Sequence, residues 1–552
     1  MSRGTPVLVE LENGESHEFI VVPGMRGRSL ADLLAEYGFP LNTRCGQRGL
    51  CRGCEVHLRE GKLTIGQGVV SAPAAVRACQ ARIAERVTVR IPARSQIQHW
   101  PQVSDTFRID VPCAHQPLFE PERGGRDTAF AVDLGTTTVA VLLVDLATGE
   151  VLSRAGGFNE QIRFGDNVLT RIDAARSRKA LTAMQAAAVS GTIAPLLVRA
   201  CERAGRGPSR IAGGTIAGNT TMLHLLAGED PSSLGVAPFV PRFIEGKQLT
   251  ASGISLTAGK KGDALAPDTP VQLLPGIAAY IGADITAGMY ATGMIFDKSP
   301  SLLVDIGTNG EIVVQSGGRL TACATAAGPA FEGSGLRCGT LAREGAISRI
   351  ELALDPFCIA AETIGNIPPA RAAGICGSAY VDFLATARRC GLLLESGRFD
   401  PVAWELVPAS HRIENEDGRA LRIAGPNGEG EAHISEVDVA VLLLAKAAIG
   451  AGIETLLNAA GIDAGGISRL YLAGGFGMYL NVEHAVAIGL LPGFREEQVR
   501  VVGNSALAGA LLALLDRTTL DEMETLRSQV EVLELNLQDG FEDRFVDHLI
   551  LP

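Results

Sequence analysis

Apolar positions follow two different rhythms along this chain. From residue 1 to about 93, short β-type runs (PVLVEL, HEFIVV, CEVHL, RVTVRI) surround one stretch of helical period, SLADLLAEYG. From residue 128 to the end, continuous apolar strands such as TAFAVDLG, SLLVDIG and SRLYLAGG alternate with Ala-rich helical stretches, which is the pattern of α/β architecture. Residues 94–127 hold four prolines, mixed polarity and no sustained period, and predict a linker that is extended where the prolines fall. The α/β region also repeats itself. FAVDLGTTTVAVLLVD from residue 130 and LLVDIGTNGEIVVQS from residue 302 both read as strand, polar Gly/Thr turn, strand. Two copies of one unit imply two lobes facing each other, 128–298 and 299–552. Residues 395–432 read as a polar insertion on the second lobe, with Trp404 at a local mini-core.

Composition narrows the classes. At 552 residues, 46% hydrophobic and 20% charged, the chain is globular and too long for one core. A net charge of −12 argues against nonspecific nucleic-acid binding, which needs a basic footprint. The first 92 residues carry twelve Lys/Arg against nine Asp/Glu, and Arg44, Arg48 and Arg52 make one loop locally basic. The N-terminal stretch alternates like a strand and lacks a signal peptide's apolar core. No apolar run has membrane-span character; VVGNSALAGALLALL (501–515) is too short and reads as a buried helix. Eleven cysteines without an export signal point to reduced thiols or metal ligands in the cytoplasm. Cys323, Cys338, Cys358, Cys376 and Cys390 are scattered and read as small buried residues.

Four other cysteines are not scattered. Cys45, Cys51, Cys54 and Cys79 are spaced C-x5-C-x2-C-x24-C, three of them in CGQRGLCRGC. Thiolates are soft donors for iron, and four of them complete two sulfide-bridged tetrahedral irons. Gly46, Gly49 and Gly53 let a short loop wrap such a cluster. Zinc is the structural rival, but its sites usually pair two short knuckles, and here the fourth cysteine stands alone. The spacing and the Cys79-Gln80 pair resemble the [2Fe–2S] ferredoxin family, which implies a β-grasp fold for residues 1–93.

In the α/β region, DLGTTT (from Asp133) and DIGTNGE (Asp305–Glu311) each place an Asp at a strand end before a turn of Gly and hydroxyl residues. Such hairpins cradle phosphate through backbone N–H groups and hydroxyls, here Gly135, Thr136 and Thr137, and Gly307, Thr308 and Asn309. The aspartates can hold Mg²⁺, usually through water. LAGGFG (472–477) follows a further strand, and Gly474 and Gly475 would let an adenosine lie close to backbone. Asp133 and Asp305 are 172 residues apart, and Asp305 and Gly475 are 170 apart. This order resembles the ASKHA superfamily of two-lobed, actin-like (RNase H-like) ATPases. The resemblance implies ATP bound with Mg²⁺ and hydrolysis residues among Asp133, Asp305 and Glu311. It makes 273–289 and 503–514 the two connecting helices. The two aspartates should meet across one cleft, with Gly474 and Gly475 at its far end.

Further phrases, NEQIRFGDNVLTRI (159–172), GNTTMLHLLAG (218–228), ATAAGPAFEG (324–333), GICGSAYVD (374–382) and AKAAIGAGIETLL (445–457), accompany a ferredoxin-like front. Together they resemble the reductive activators of corrinoid proteins. That resemblance implies ATP-dependent, one-electron reduction of Co(II) to Co(I) on a corrinoid protein of a methyltransferase system. The chain shows no D-x-H-x-x-G corrinoid-ligand motif and no NAD fingerprint. The corrinoid therefore belongs to the partner, and an external low-potential donor must supply the electron. No nucleic-acid or membrane partner is expected, and a homodimer is compatible with this reading. The alternatives are a nucleotide-regulated electron carrier, an ATP-dependent activator of another low-potential metalloenzyme, and a small-molecule kinase.

Overall fold

The computed structural model describes the chain except residues 1–3, 12–13, 26, 42, 44–46, 48, 50–53, 93–94, 96–105, 110, 112, 123, 416–417, 426–431 and 476–478. It divides into two compact units, residues 1–99 with 161–166, and residues 100–160 with 167–552. In the first unit, a mixed five-stranded sheet runs in the order Ser16–Val21, Thr5–Leu11, Val87–Ile91, Glu55–Glu60, Ala74–Arg77. Its outer pairs are antiparallel, while Thr5–Leu11 and Val87–Ile91 pair in parallel, Val7 opposite Val87. Alternation along Thr5–Leu11 sends Val7 and Val9 inward, where they share a core with Leu33 and Leu34 of helix Leu30–Glu36. That helix starts where Ser29 Oγ accepts from the Asp32 N–H at 3.1 Å.

The second unit contains the predicted repeat as two sheets of like topology. In lobe I, antiparallel strands Val151–Phe158, Thr138–Asp145 and Thr128–Leu134 are followed by parallel Ile211–Gly218 and Pro270–Leu273. Lobe II repeats the order with Arg319–Thr325, Gly310–Ser316, Ser301–Ile306, Arg469–Ala473 and Val499–Gly503. Even the register agrees, for Asp133 lies beside Ala217 and Asp305 beside Ala473 on the neighbouring parallel strands. A short side chain beside each aspartate leaves its carboxylate room at the strand end.

Helices Ala283–Ala291 and Ser505–Leu515 cross closely. A methyl group on Gly509 would lie 2.4 Å from the Ala287 carbonyl oxygen, so the crossing depends on glycine there. Ser505–Leu515 is buried along its whole length, as its apolar sequence requires. Against expectation, Arg178–Ala204 and Glu436–Ala459 are long and apolar enough to cross a membrane by length and composition. The apolar window of the latter is 78% buried inside lobe II, where it serves as a core helix. Within the insertion, Trp404 is fully buried and its Nε1 donates to Glu414 Oε1 at 2.9 Å; instead of a separate mini-core, it packs beside Phe399 in the main core of lobe II. Cys323, Cys338 and Cys376 are buried, but Cys390 is half-buried and Cys358 exposed on an outer strand.

The linker departs most from its sequence pattern. Instead of a tether through residue 127, its second half is docked on the two-lobed unit. Phe107 pairs antiparallel with Gly503, with Arg108 N donating to Val502 O at 3.2 Å and Asn504 N to Thr106 O at 3.1 Å. Ala114 N donates to Asp516 Oδ2 and Leu118 N to Leu514 O, both at 2.9 Å. Phe119 is buried against Gly213 of lobe I, where any side chain would strike its ring at 2.4 Å. Backbone hydrogen bonds need no side-chain periodicity, which is why the pattern gave no sign of this strap.

Candidate functional site

The two Asp-containing hairpins meet tip to tip between the lobes. Thr137 Oγ1 and Thr308 Oγ1 lie 3.2 Å apart, and each donates to Glu332 Oε2, at 3.0 and 2.8 Å. The first hairpin turns tightly enough that a side chain on Gly135 would sit 2.6 Å from Thr138 O. Three residues from other elements hold it. Asn159 Nδ2 donates to Gly135 O at 2.9 Å, and Asn159 N donates to Thr137 O at 2.9 Å. Asn219, the N-cap of helix Thr220–Ala227, donates to Thr136 Oγ1 at 2.9 Å. Buried Arg171 donates to Thr136 O at 2.5 Å. In the second hairpin, Gly307 N donates to Asn309 O at 3.0 Å, and Asp305 stands opposite Glu311.

Below the tips the cleft is strongly acidic. Asp133, Asp284 and Asp305 are half-buried and act on one another electrostatically. Burial pushes Asp133 up to about 6, although Asn504 Nδ2 donates to it at 2.9 Å. Burial, then the Asp133 charge, pushes Asp284 up to about 7. Asp305 rises to about 8, through burial and the charges of Asp284, Asp133 and Glu332. Glu311 is buried and held well above the carboxylate range by burial, Asp284 and Asp305. Like charges this close are tolerated when protonated or when a cation neutralises them. Among the described residues no three acidic, histidine or cysteine side chains converge to hold an ion directly, so the set suits a divalent ion held through its own water and by phosphate.

Asp133, Asp305, Glu311 and the hairpin residues thus come together in one cleft. Gly474 does not lie at the far end: a side chain there would strike Ile306 O at 2.4 Å and Asp305 Oδ1 at 2.8 Å. It adopts φ +97 and packs directly on the second hairpin, because its strand is parallel neighbour to Ser301–Ile306. Gly475 follows it, exposed. Sequence reading missed Asp284, which sits in a helical run, and Glu332, Asn159, Arg171 and Asn219. The last four belong to phrases already singled out, but without any local sign of their role.

In the other unit, strands Glu55–Glu60 and Ala74–Arg77 pair with Glu55 opposite Arg77. This brings Cys54 and Cys79 to one sheet end, with Ala78 N donating to Cys54 O at 3.0 Å. Both cysteines are buried. Gln80 Nε2 donates to Gln47 O at 2.7 Å and lies 3.6 Å from Cys79 Sγ. Gln47 in turn donates to Asp32 Oδ1 at 2.7 Å, tying the cysteine loop to helix Leu30–Glu36. Gly49, at φ +72, lies against Gln80, where a side chain would meet it at 2.9 Å. Cys45 and Cys51 lie outside the described residues, as do Gly46, Gly53 and the three loop arginines. The two described cysteines fit the cluster implied by the spacing: two buried sulfurs at one sheet end, one beside an amide donor.

Residues 128–297 match the family model described as the RACo middle region, and residues 299–552 the C-terminal domain of RACo, the ASKHA domain. The corrinoid activation enzyme RamQ of Eubacterium limosum is 30% identical over 558 residues, spanning 88% of this chain and 90% of that one. A [Co(II) methylated amine-specific corrinoid protein] reductase of Methanosarcina barkeri is 26% identical over 420 residues, 73% of this chain and 72% of that one. A solved structure of a reductive activator for corrinoid, iron-sulfur protein superposes with TM-score 0.72 at 29% identity, covering 99% of this chain and 98% of that one. The chain belongs to the family of reductive activators of corrinoid proteins.

Proposed function

We propose that this protein uses ATP, bound with Mg²⁺ between the two hairpins, to drive one-electron reduction of Co(II) to Co(I) on a corrinoid protein of a methyltransferase system. The meeting of Thr137 and Thr308 at the tips of two hairpins whose aspartates, Asp133 and Asp305, act on each other and on Asp284 supports this reading. It is a phosphate-and-cation cleft built from two copies of one sheet, in a chain similar to corrinoid activators over most of its length. Hydroxyls and backbone N–H groups of both hairpins would hold the terminal phosphates, so that nucleotide links the lobes. Asp133 and Asp305 would hold the hydrated Mg²⁺ with Glu311 beside it, Gly474 would keep its strand close against the second hairpin, and Gly475 after it would admit the nucleoside.

The first unit is the electron store. Its strand order, with parallel Thr5–Leu11 and Val87–Ile91 and one packed helix, is read as the β-grasp of a ferredoxin. Cys45, Cys51, Cys54 and Cys79 would ligate a [2Fe–2S] cluster, which supplies one electron at a time when bound. Gln80 fixes the loop and offers an N–H to Cys79, an interaction that favours the thiolate's negative charge. Co(II) is hard to reduce, and a gap of ~100 mV costs roughly 2.3 kcal/mol. A nucleotide-driven change in how the lobes grip the partner supplies a comparable amount, since couplings between sites are typically ~1–3 kcal/mol.

The test is Co(I) formation followed by absorbance, with a Co(II) corrinoid protein and an external low-potential donor such as titanium(III) citrate. Reduction should require ATP and fall at least ~100-fold in Asp133→Ala and Asp305→Ala. Reduction that proceeds equally well without ATP would make the protein a nucleotide-indifferent carrier and overturn the proposal.

A further inference from the structure

Glu332 lies outside both hairpins, yet its carboxylate is the point at which they join. It ends the short turn Pro329–Glu332, between Gly328 at φ +72 and Gly333 at φ +77. Oε2 accepts from Thr308 Oγ1 at 2.8 Å and from Thr137 Oγ1 at 3.0 Å. A threonine hydroxyl has a single proton. While both protons point at Glu332, neither is available to a phosphate oxygen. The two hydroxyls come from different lobes, so an acceptor that replaces Glu332 must lie between the lobes. A terminal phosphate placed there would bring two more negative charges beside the carboxylate, so the two anions compete for the same donors.

We propose that Glu332 is a positioning residue that acts through Thr137 and Thr308 and reads the terminal phosphate. It holds the hairpin tips together until ATP takes over both hydroxyls, and ADP, one phosphate shorter, leaves the knot tied. Its release would reach the rest of lobe II at once, because Phe331, the preceding residue, packs its carbonyl against the first turn of helix Gly377–Arg389. A side chain on Gly377 would stand 1.7 Å from that oxygen. This deepens the proposed ATP-cleft reading and rests on it.

The experiment measures dissociation constants of MgATP and MgADP on the full-length protein by calorimetry, for wild type, Glu332→Gln and Glu332→Asp. Gln keeps the shape but loses the charge that strengthens both bonds; Asp keeps the charge but is one methylene too short to reach both hydroxyls. Each variant should bind MgATP at least ~5-fold more tightly, from the loss of charge-assisted bonds that ATP must otherwise break. MgADP affinity should stay within about twofold, and the preference for ATP should therefore rise. A structural defect would move both nucleotides together, and that result overturns the proposal. So does weaker MgATP binding alone, which would make Glu332 a direct contact of the nucleotide or its metal. Wild type that binds neither nucleotide would sink the ATP-cleft reading itself, and the sensor with it.

Discussion

A half-buried carboxylate is costly to charge, and this cleft holds several that act on one another. Asp133, Asp284 and Asp305 are raised to about 6, 7 and 8, chiefly by burial. Raised values mean that the folded protein holds these protons more tightly than the unfolded chain does. Their stabilising contribution is therefore complete below about pH 4 and is lost as pH rises toward 8. Without nucleotide and in EDTA, the melting temperature should fall by at least ~3 °C between pH 5.5 and 8.5, and Mg²⁺ should remove most of that fall. A pH-independent melting temperature in EDTA would show that the carboxylates are not held as described. Arg171 is the other decisive residue at this scale. Arg171→Met keeps much of the apolar bulk but leaves Thr136 O without this donor, which should cost ~1–3 kcal/mol of stability. ATP turnover should drop at least ~10-fold through a looser first hairpin, measured against an unchanged iron–sulfur spectrum.

At the scale of elements, the repeat was legible because each hairpin carries its whole signal within sixteen residues: apolar strand, Asp, Gly, hydroxyls, apolar strand. The cysteine spacing was legible for the same reason. What holds the hairpins was not, because Asn159, Arg171 and Asn219 reach the first turn from 24 to 83 residues away. A polar residue that is satisfied only by a distant backbone group looks, in sequence, like any polar residue in a helix or loop. Asp284 is hidden likewise, reading as one polar position in helix Ala283–Ala291. The crossing of that helix with Ser505–Leu515 yields its own prediction. Gly509→Val must force Ala287 away from contacts of 2.4–2.6 Å, and overpacking of this kind costs ~1–3 kcal/mol. The melting temperature should fall by several degrees, ATP turnover should fall with it, and the first unit's cluster should be unaffected. Normal turnover in a well-folded Gly509→Val would mean that the crossing tolerates separation.

For the whole molecule, the two units should fail independently. Cys79→Ser should alter the iron–sulfur spectrum and leave MgATP affinity within about twofold, while Asp305→Ala does the reverse; linked losses would contradict separate sites. The docked half of the linker has a further consequence, for solubility. Val499–Gly503 is the outermost strand of its sheet, and residues 106–108 occupy its open side. An uncovered edge offers unpaired N–H and C=O groups to any other chain. A fragment of residues 128–552, although it starts at the sequence-defined boundary of lobe I, would bare that edge and empty the seat of Phe119 over Gly213. It should aggregate at concentrations where a fragment of residues 106–552 remains dispersed, as light scattering would register. Equal dispersion of the two would mean that residues 106–127 are a passenger; otherwise the segment doubles as an edge guard, protecting the sheet from self-association.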